Sequence, residues 1–134
     1  MGGQGAPLHF AAANGYPPGA YRAFLEPFAE NHQLVASLHR PLWETPPELE
    51  SFRSWDVLGE DVCELVSQLQ HPVVSVGHSM GTAAILMAAL QRPELFSSIV
   101  LIEPVLVPHR YLLGLSFFRR FRPEVIPLVK RTLS

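Results

Sequence analysis

The sequence has little of several features that define other classes of protein. A single cysteine, Cys63, excludes an internal disulfide and suits a reducing compartment, so we expect a cytoplasmic protein. The formal net charge is only −2, which gives no reason to expect nucleic acid or an anionic membrane as a partner. No apolar run approaches the roughly 20 residues that span a bilayer, and residues 1–5 lack the features of a secretory signal. No pair of histidines has metal-ligand spacing, so we expect no metal site.

The residues that are present suffice for one domain with a single core. The chain has 134 residues, of which 48% are hydrophobic. The predicted elements are strands at residues 8–13, 33–39, 72–76 and 98–102 and helices at residues 20–31, 56–69 and 82–91. We interpret residues 40–55, which are rich in proline, as a surface loop. This alternation predicts an α/β fold in which a parallel sheet is flanked by helices on both faces.

The most informative feature is the pentapeptide Gly77-His78-Ser79-Met80-Gly81, which has the spacing G-x-S-x-G. It follows the third predicted strand and precedes the third predicted helix. A serine in such a turn presents its hydroxyl at the sheet edge, where a substrate carbonyl can reach it. Glycine is needed at positions 77 and 81 because side chains there would strike the neighbouring backbone. We interpret the turn as a nucleophile elbow, with Ser79 as the catalytic nucleophile.

The turn, its strand and helix, and the earlier segment Asn14-Gly15-Tyr16-Pro17 together resemble the α/β-hydrolase superfamily. The resemblance runs from about residue 7 to about residue 108, although asparagine stands where histidine is commoner in the family. It implies an oxyanion hole formed by the backbone N–H groups of Met80 and Tyr16. It implies no organic cofactor.

The sequence departs from the family pattern after the serine. Family members carry an acid and then a histidine, but His109 is the only histidine that follows Ser79. Glu103, at the end of the fourth predicted strand, is a candidate for the acid or else a solvent-facing carboxylate. Such enzymes commonly need roughly 200–250 residues. We therefore expect an N-terminal part of a hydrolase, with a core at residues 1–104, the start of a helical cap at 105–134, and no complete triad.

Two classes of function follow from these observations. The first is a serine hydrolase that transfers the acyl group of a small-molecule, ester-like substrate to water. The second is a non-catalytic binding or scaffold protein that keeps the same fold, because a fold does not fix a function. In either case a chain that ends inside the cap leaves a sheet edge uncovered, which predicts self-association.

Overall fold

The computed structural model describes residues 2–48, 54–69 and 72–105. Within these residues a parallel sheet contains four strands in the order β2-β1-β3-β4. The strands are β1 (Ala6–Ala11), β2 (His32–Ser37), β3 (Val73–His78) and β4 (Phe96–Ile102). The helices are α1 (Arg22–Leu25), α2 (Asp56–Ser67) and α3 (Met80–Gln91). The predicted α/β class is confirmed.

Helices cover both faces of the sheet, as predicted. On one face Leu25 of α1 packs with the buried strand residues Leu8, Phe10, Leu34 and Val76. Successive side chains of a strand point to opposite faces, so Val73 of β3 faces the other side. There it packs with the buried residues of α2 and α3, which are Leu58, Val62, Cys63, Val66, Ala84 and Ala88. The sheet is therefore sandwiched between two apolar layers, and Cys63 is a small buried side chain of one of them.

The segment after β1 is less regular than the helix predicted at residues 20–31. It consists of a 3₁₀ turn at Pro18–Tyr21, the single α-helical turn of α1 and a second 3₁₀ turn at Glu26–Glu30. The prediction of one continuous α-helix is wrong, and Pro27 explains the difference. A proline has no N–H to donate and its ring clashes with the preceding turn, so the α-helix cannot continue through it.

The strand and helix at the G-x-S-x-G turn are both longer than predicted. β3 continues through His78, and α3 begins at Met80. As a result Ser79 is the single residue between them. Most of the predicted loop after β2 is irregular where it is described, with a 3₁₀ turn at Arg40–Leu42. The predicted cap, apart from Val105, lies outside the described residues and stays a prediction.

The edge of the sheet at β4 is open in the part of the chain that the structure describes. There β4 pairs only with β3, and its Val100 is 47% exposed. Self-association through this edge stays a prediction. None of the helices within the described ranges is long and apolar enough to cross a membrane.

A buried histidine joins three strands on the face covered by α2 and α3. His9 of β1 has no exposed surface, and its Nδ1 lies 2.5 Å from the hydroxyl oxygen of Ser75, while its Nε2 lies 3.2 Å from that of Ser37. The Ser37 hydroxyl donates to the carbonyl oxygen of Phe10. It can therefore accept from His9 Nε2–H while Ser75 donates to Nδ1, which satisfies every polar group with a neutral imidazole. Burial, and secondarily repulsion by His39, lowers the pKa of His9 to about 4.

Acid is expected to weaken the fold through His9. Between about pH 6.5 and pH 4 the unfolded chain binds a proton at this residue and the folded chain does not. The stability is thus complete above the unfolded pKa and is lost as the pH falls, by about 2–3 kcal/mol between pH 7 and pH 4.5. Urea unfolding at the two pH values measures this loss. Between these pH values the variant His9→Gln should lose less stability than the wild type. The control His32→Gln, at the first residue of β2, should lose as much as the wild type. An equal loss in His9→Gln and the wild type would show that another group is responsible.

Candidate active site

The carboxyl ends of β1, β3 and β4 meet at one edge of the sheet. Ala11 is level with Gly77, which is level with Leu101 on the other side. The backbone N–H of Ser79 donates to the carbonyl oxygen of Ile102 at 3.0 Å, so the pairing of β3 with β4 extends one residue past the strand. The helix α3 begins at the next residue. Ser79 therefore lies at a sharp bend on the rim where ligand sites of open α/β sheets are found.

The backbone of Ser79 is strained and is held in place by Thr82. Ser79 has φ 52° and ψ −116°, a conformation that costs an L-residue about 1–3 kcal/mol and that clusters at functional sites. Its carbonyl oxygen accepts hydrogen bonds from the Thr82 hydroxyl at 2.5 Å and the Thr82 backbone N–H at 3.0 Å. The fully buried Thr82 hydroxyl also accepts from the N–H of Val105 at 3.3 Å. Sequence reasoning missed Thr82, although a threonine in the first turn of the helix is a usable signal.

Both glycines of the turn lie where a side chain has no room. A Cβ at Gly81 would stand 2.1 Å from the carbonyl oxygen of Ala11 and 2.7 Å from that of Ala12. A Cβ at Gly77 would stand 2.9 Å from the backbone of Gly81 and from the Cδ1 atom of Ile85. The start of α3 can therefore approach the end of β1 only because Gly81 lacks a side chain, and it can lie against β3 only because Gly77 lacks one.

The hydroxyl of the half-buried Ser79 has no hydrogen-bond partner among the described residues. Its hydroxyl does not cap α3, although serine often caps a helix in this position. Within residues 2–48, 54–69 and 72–105, nothing is hydrogen-bonded to this hydroxyl or to the backbone N–H of Met80. Met80 also opens a twelve-residue helix, whose N-terminus carries a partial positive charge. The bend thus presents a hydroxyl and a free amide donor together.

The amide of Tyr16, the other donor implied by the family resemblance, is engaged within its own turn. It donates to the carbonyl oxygen of Ala13 at 3.2 Å, and Gly15 between them has φ 74°. Tyr16 as a residue is 58% exposed. The Tyr16 amide can bind an oxyanion only if it shares its hydrogen bond to the Ala13 carbonyl or gives it up. In this respect it differs from the Met80 amide, which has no partner among the described residues.

His78 is turned away from the serine that follows it. Its Nδ1 lies 2.7 Å from the hydroxyl oxygen of Tyr21, and that oxygen accepts the backbone N–H of Ala13 at 3.2 Å. Its Nε2 lies 3.5 Å from a carboxylate oxygen of Glu103. Both ring nitrogens of His78 therefore have partners other than Ser79. Tyr21 lies in the helix predicted at residues 20–31, and its contact with His78 was not predicted.

Glu103 lies at the same rim in an unusual backbone conformation. It follows β4 directly and has φ 48°, and its side chain is 84% exposed. Its ion-pair partner among the described residues is His78. Two other described histidines have structural contacts: His39 donates from Nε2 to the carbonyl oxygen of Ala12, and His9 is buried within the sheet. His109 lies outside the described residues, and among the described ones no group of three or more histidine, cysteine, aspartate or glutamate side chains could hold a metal ion.

Solved structures share this architecture. A variant of the N-formylmaleamic acid deformylase Nfo from Pseudomonas putida is 23% identical with a TM-score of 0.68, over 77% of this chain and 40% of that one. The epoxide hydrolase VrEH1 from Vigna radiata is 22% identical with a TM-score of 0.72, over 80% and 36%. A serine hydrolase involved in carbazole degradation, CarC, is 20% identical with a TM-score of 0.70, over 79% and 43%. The chain therefore spans less than half the length of these structures.

The sequence comparisons are consistent with this likeness. A search of curated proteins gave no match. The family model for the alpha/beta hydrolase fold matches residues 41–131, a range that includes the G-x-S-x-G turn. Because this match covers more than half of the chain, and because the sheet order, helices and structural neighbours agree with it, the chain belongs to the α/β-hydrolase family.

Proposed function

We propose that this chain provides the nucleophile and the oxyanion site of a serine hydrolase that acts on small-molecule, ester-like substrates. The single observation that carries the proposal is the strained, half-buried Ser79 between β3 and α3, beside the amide of Met80, which has no hydrogen-bond partner among the described residues. A hydroxyl in this position attacks a carbonyl carbon, and the charge that develops on the carbonyl oxygen is stabilised by the amide.

Each residue has a defined role in the steps of the proposed acyl transfer. As Ser79 Oγ bonds to the acyl carbon, its proton passes to a base and the carbonyl oxygen becomes an oxyanion held by Met80 N–H. The alcohol then leaves with a proton, and water removes the acyl group from Oγ. The Tyr16 amide is the second oxyanion donor once it turns from Ala13. Glu103 is the candidate acid that would orient the base.

The base itself is a histidine in the family pattern. The four described histidines make no hydrogen bond to Ser79, and each ring nitrogen of His78 and His9 already has a partner. A serine hydroxyl without a base is a weak nucleophile. Added imidazole is therefore expected to accelerate a reaction of Ser79 in residues 1–134.

Covalent labelling tests the proposal. A fluorophosphonate should modify Ser79: the Oγ–P bond forms, the P–F bond breaks, and fluoride and a proton are released. Peptide mass spectrometry after labelling is expected to find the adduct on the peptide containing Ser79, at a rate that rises with imidazole concentration.

Two outcomes of this labelling experiment would contradict the proposal. One is an adduct on other serines with Ser79 unmodified. The other is no adduct at any imidazole concentration, which would favour the second candidate, a non-catalytic binding or scaffold protein on the same fold. That candidate is favoured by the same absence of a histidine bonded to Ser79 among the described residues.

A further inference from the structure

Tyr21 and His78 connect the two backbone segments that carry the proposed oxyanion donors. The Tyr21 hydroxyl oxygen is 3.2 Å from the backbone nitrogen of Ala13, which begins the turn ending at Tyr16. The same oxygen is 2.7 Å from Nδ1 of His78, the residue before Ser79. The Tyr21 hydroxyl thus contacts both the turn after β1 and the residue before the bend after β3.

The proton positions in this chain of contacts follow from the groups involved. The Ala13 N–H can only donate, so it occupies one lone pair of the Tyr21 oxygen. The Tyr21 O–H can then donate to Nδ1 of His78, which leaves Nε2–H directed toward Glu103 Oε2 at 3.5 Å. This arrangement satisfies each donor, and on that ground we assign His78 the Nε2–H tautomer.

The position of the Tyr21 ring does not depend on its hydroxyl. The ring packs against Phe10 with a centroid separation of 4.7 Å and meets the His78 ring edge-on at 5.7 Å. Phe10 is buried at the centre of the sheet. Removal of the hydroxyl alone should therefore leave the ring in place and release only the turn and the imidazole.

We propose that Tyr21 and His78 are positioning residues that hold the turn after β1, which carries the Tyr16 amide, beside the bend that carries the Met80 amide. This inference rests on the proposed function, because only that function assigns the turn after β1 a role, which is to supply the second oxyanion donor. A misplacement of about 1 Å can cost a catalysed step about a hundredfold even when no contact with the substrate is lost. The effect belongs to the chemical step, since the oxyanion forms only there.

The test compares the maximal labelling rate and the half-saturating probe concentration of the fluorophosphonate in variants of residues 1–134, with imidazole present. Tyr21→Phe and His78→Leu should lower the maximal rate about 10- to 100-fold and leave the half-saturating concentration unchanged. His78→Asn, whose amide oxygen can still accept from Tyr21, should recover most of the loss. The matched control His32→Asn, at the opposite end of the sheet, should behave as the wild type. A folded Tyr21→Phe variant with a wild-type rate, or a change in the half-saturating concentration alone, would overturn the inference.

A spectroscopic measurement decides the inference even if no serine is labelled. Long-range ¹H–¹⁵N spectra should show the Nε2–H tautomer of His78 in the wild type and a mixed population in Tyr21→Phe. The amide resonances of Ala13 and Tyr16 should shift in the same variant. Unchanged amide resonances would overturn the positioning role, whereas absent labelling with shifted resonances would instead contradict the proposed function.

Discussion

Ser79→Ala is expected to reduce fluorophosphonate labelling at least about a thousandfold while the protein stays folded, because removal of a nucleophile removes the covalent step itself. The substitution deletes only a hydroxyl that is not hydrogen-bonded within the described residues. Alanine must adopt the same φ of 52°, so the strain of the bend is unchanged. The free energy of unfolding is therefore expected to change by no more than about 0.5 kcal/mol.

The matched control for this variant is Ser98→Ala. Ser98 is an exposed serine of β4, the strand that pairs with β3. Its labelling and stability should equal those of the wild type. Residual labelling of Ser79→Ala at the wild-type rate would place the reactive group elsewhere.

Gly81→Ala is expected to destabilise the fold by about 3 kcal/mol or more, near or above the upper end of the usual cost of overpacking. The new Cβ would lie 2.1 Å from the Ala11 carbonyl oxygen and 2.5 Å from its carbon. These are backbone atoms of a central strand, so relief requires α3 to move away from β1. Small domains have only about 5–15 kcal/mol of stability in total, and the loss should be visible as a large shift of the urea midpoint.

The glycines of this chain provide a graded control for that result. Gly77→Ala, with contacts at 2.9 Å, should cost less than Gly81→Ala. Gly19→Ala, with no atom within 4 Å of the new Cβ, should change the stability by no more than about 0.5 kcal/mol. Equal stability of the Gly81 and Gly19 variants would mean that α3 does not approach β1 as described.

Local sequence patterns were sufficient to predict the order of the elements. The β-branched run of β3 and the small residues of α3 lie on either side of two glycines, and each pattern favours the structure observed. The same kind of reasoning failed for the segment after β1. There the sequence predicted one helix at residues 20–31, but the backbone restriction at Pro27 ends the α-helix before it.

The contacts around the bend could not be predicted from spacing alone. Tyr21 and His78 are 57 positions apart, and they meet only because β1 pairs with β3 in one particular register. A shift of one residue would turn His78 to the other face of the sheet. The engagement of the Tyr16 amide with Ala13 likewise depends on the conformation of one turn.

Family membership narrows the chemistry without fixing the substrate. The neighbours reported above are a deformylase, an epoxide hydrolase and a serine hydrolase, and they share one fold. The identity of the nucleophile and the geometry of its oxyanion donors therefore have to be established on this chain itself.

An experimental structure of the fluorophosphonate-treated protein tests the central claim most directly. The account predicts phosphorus bonded to Ser79 Oγ at the bend between β3 and α3, with a phosphoryl oxygen within hydrogen-bond distance, about 2.7–3.1 Å, of the Met80 amide. An adduct at another residue, or a phosphoryl oxygen directed away from the start of α3, would contradict it.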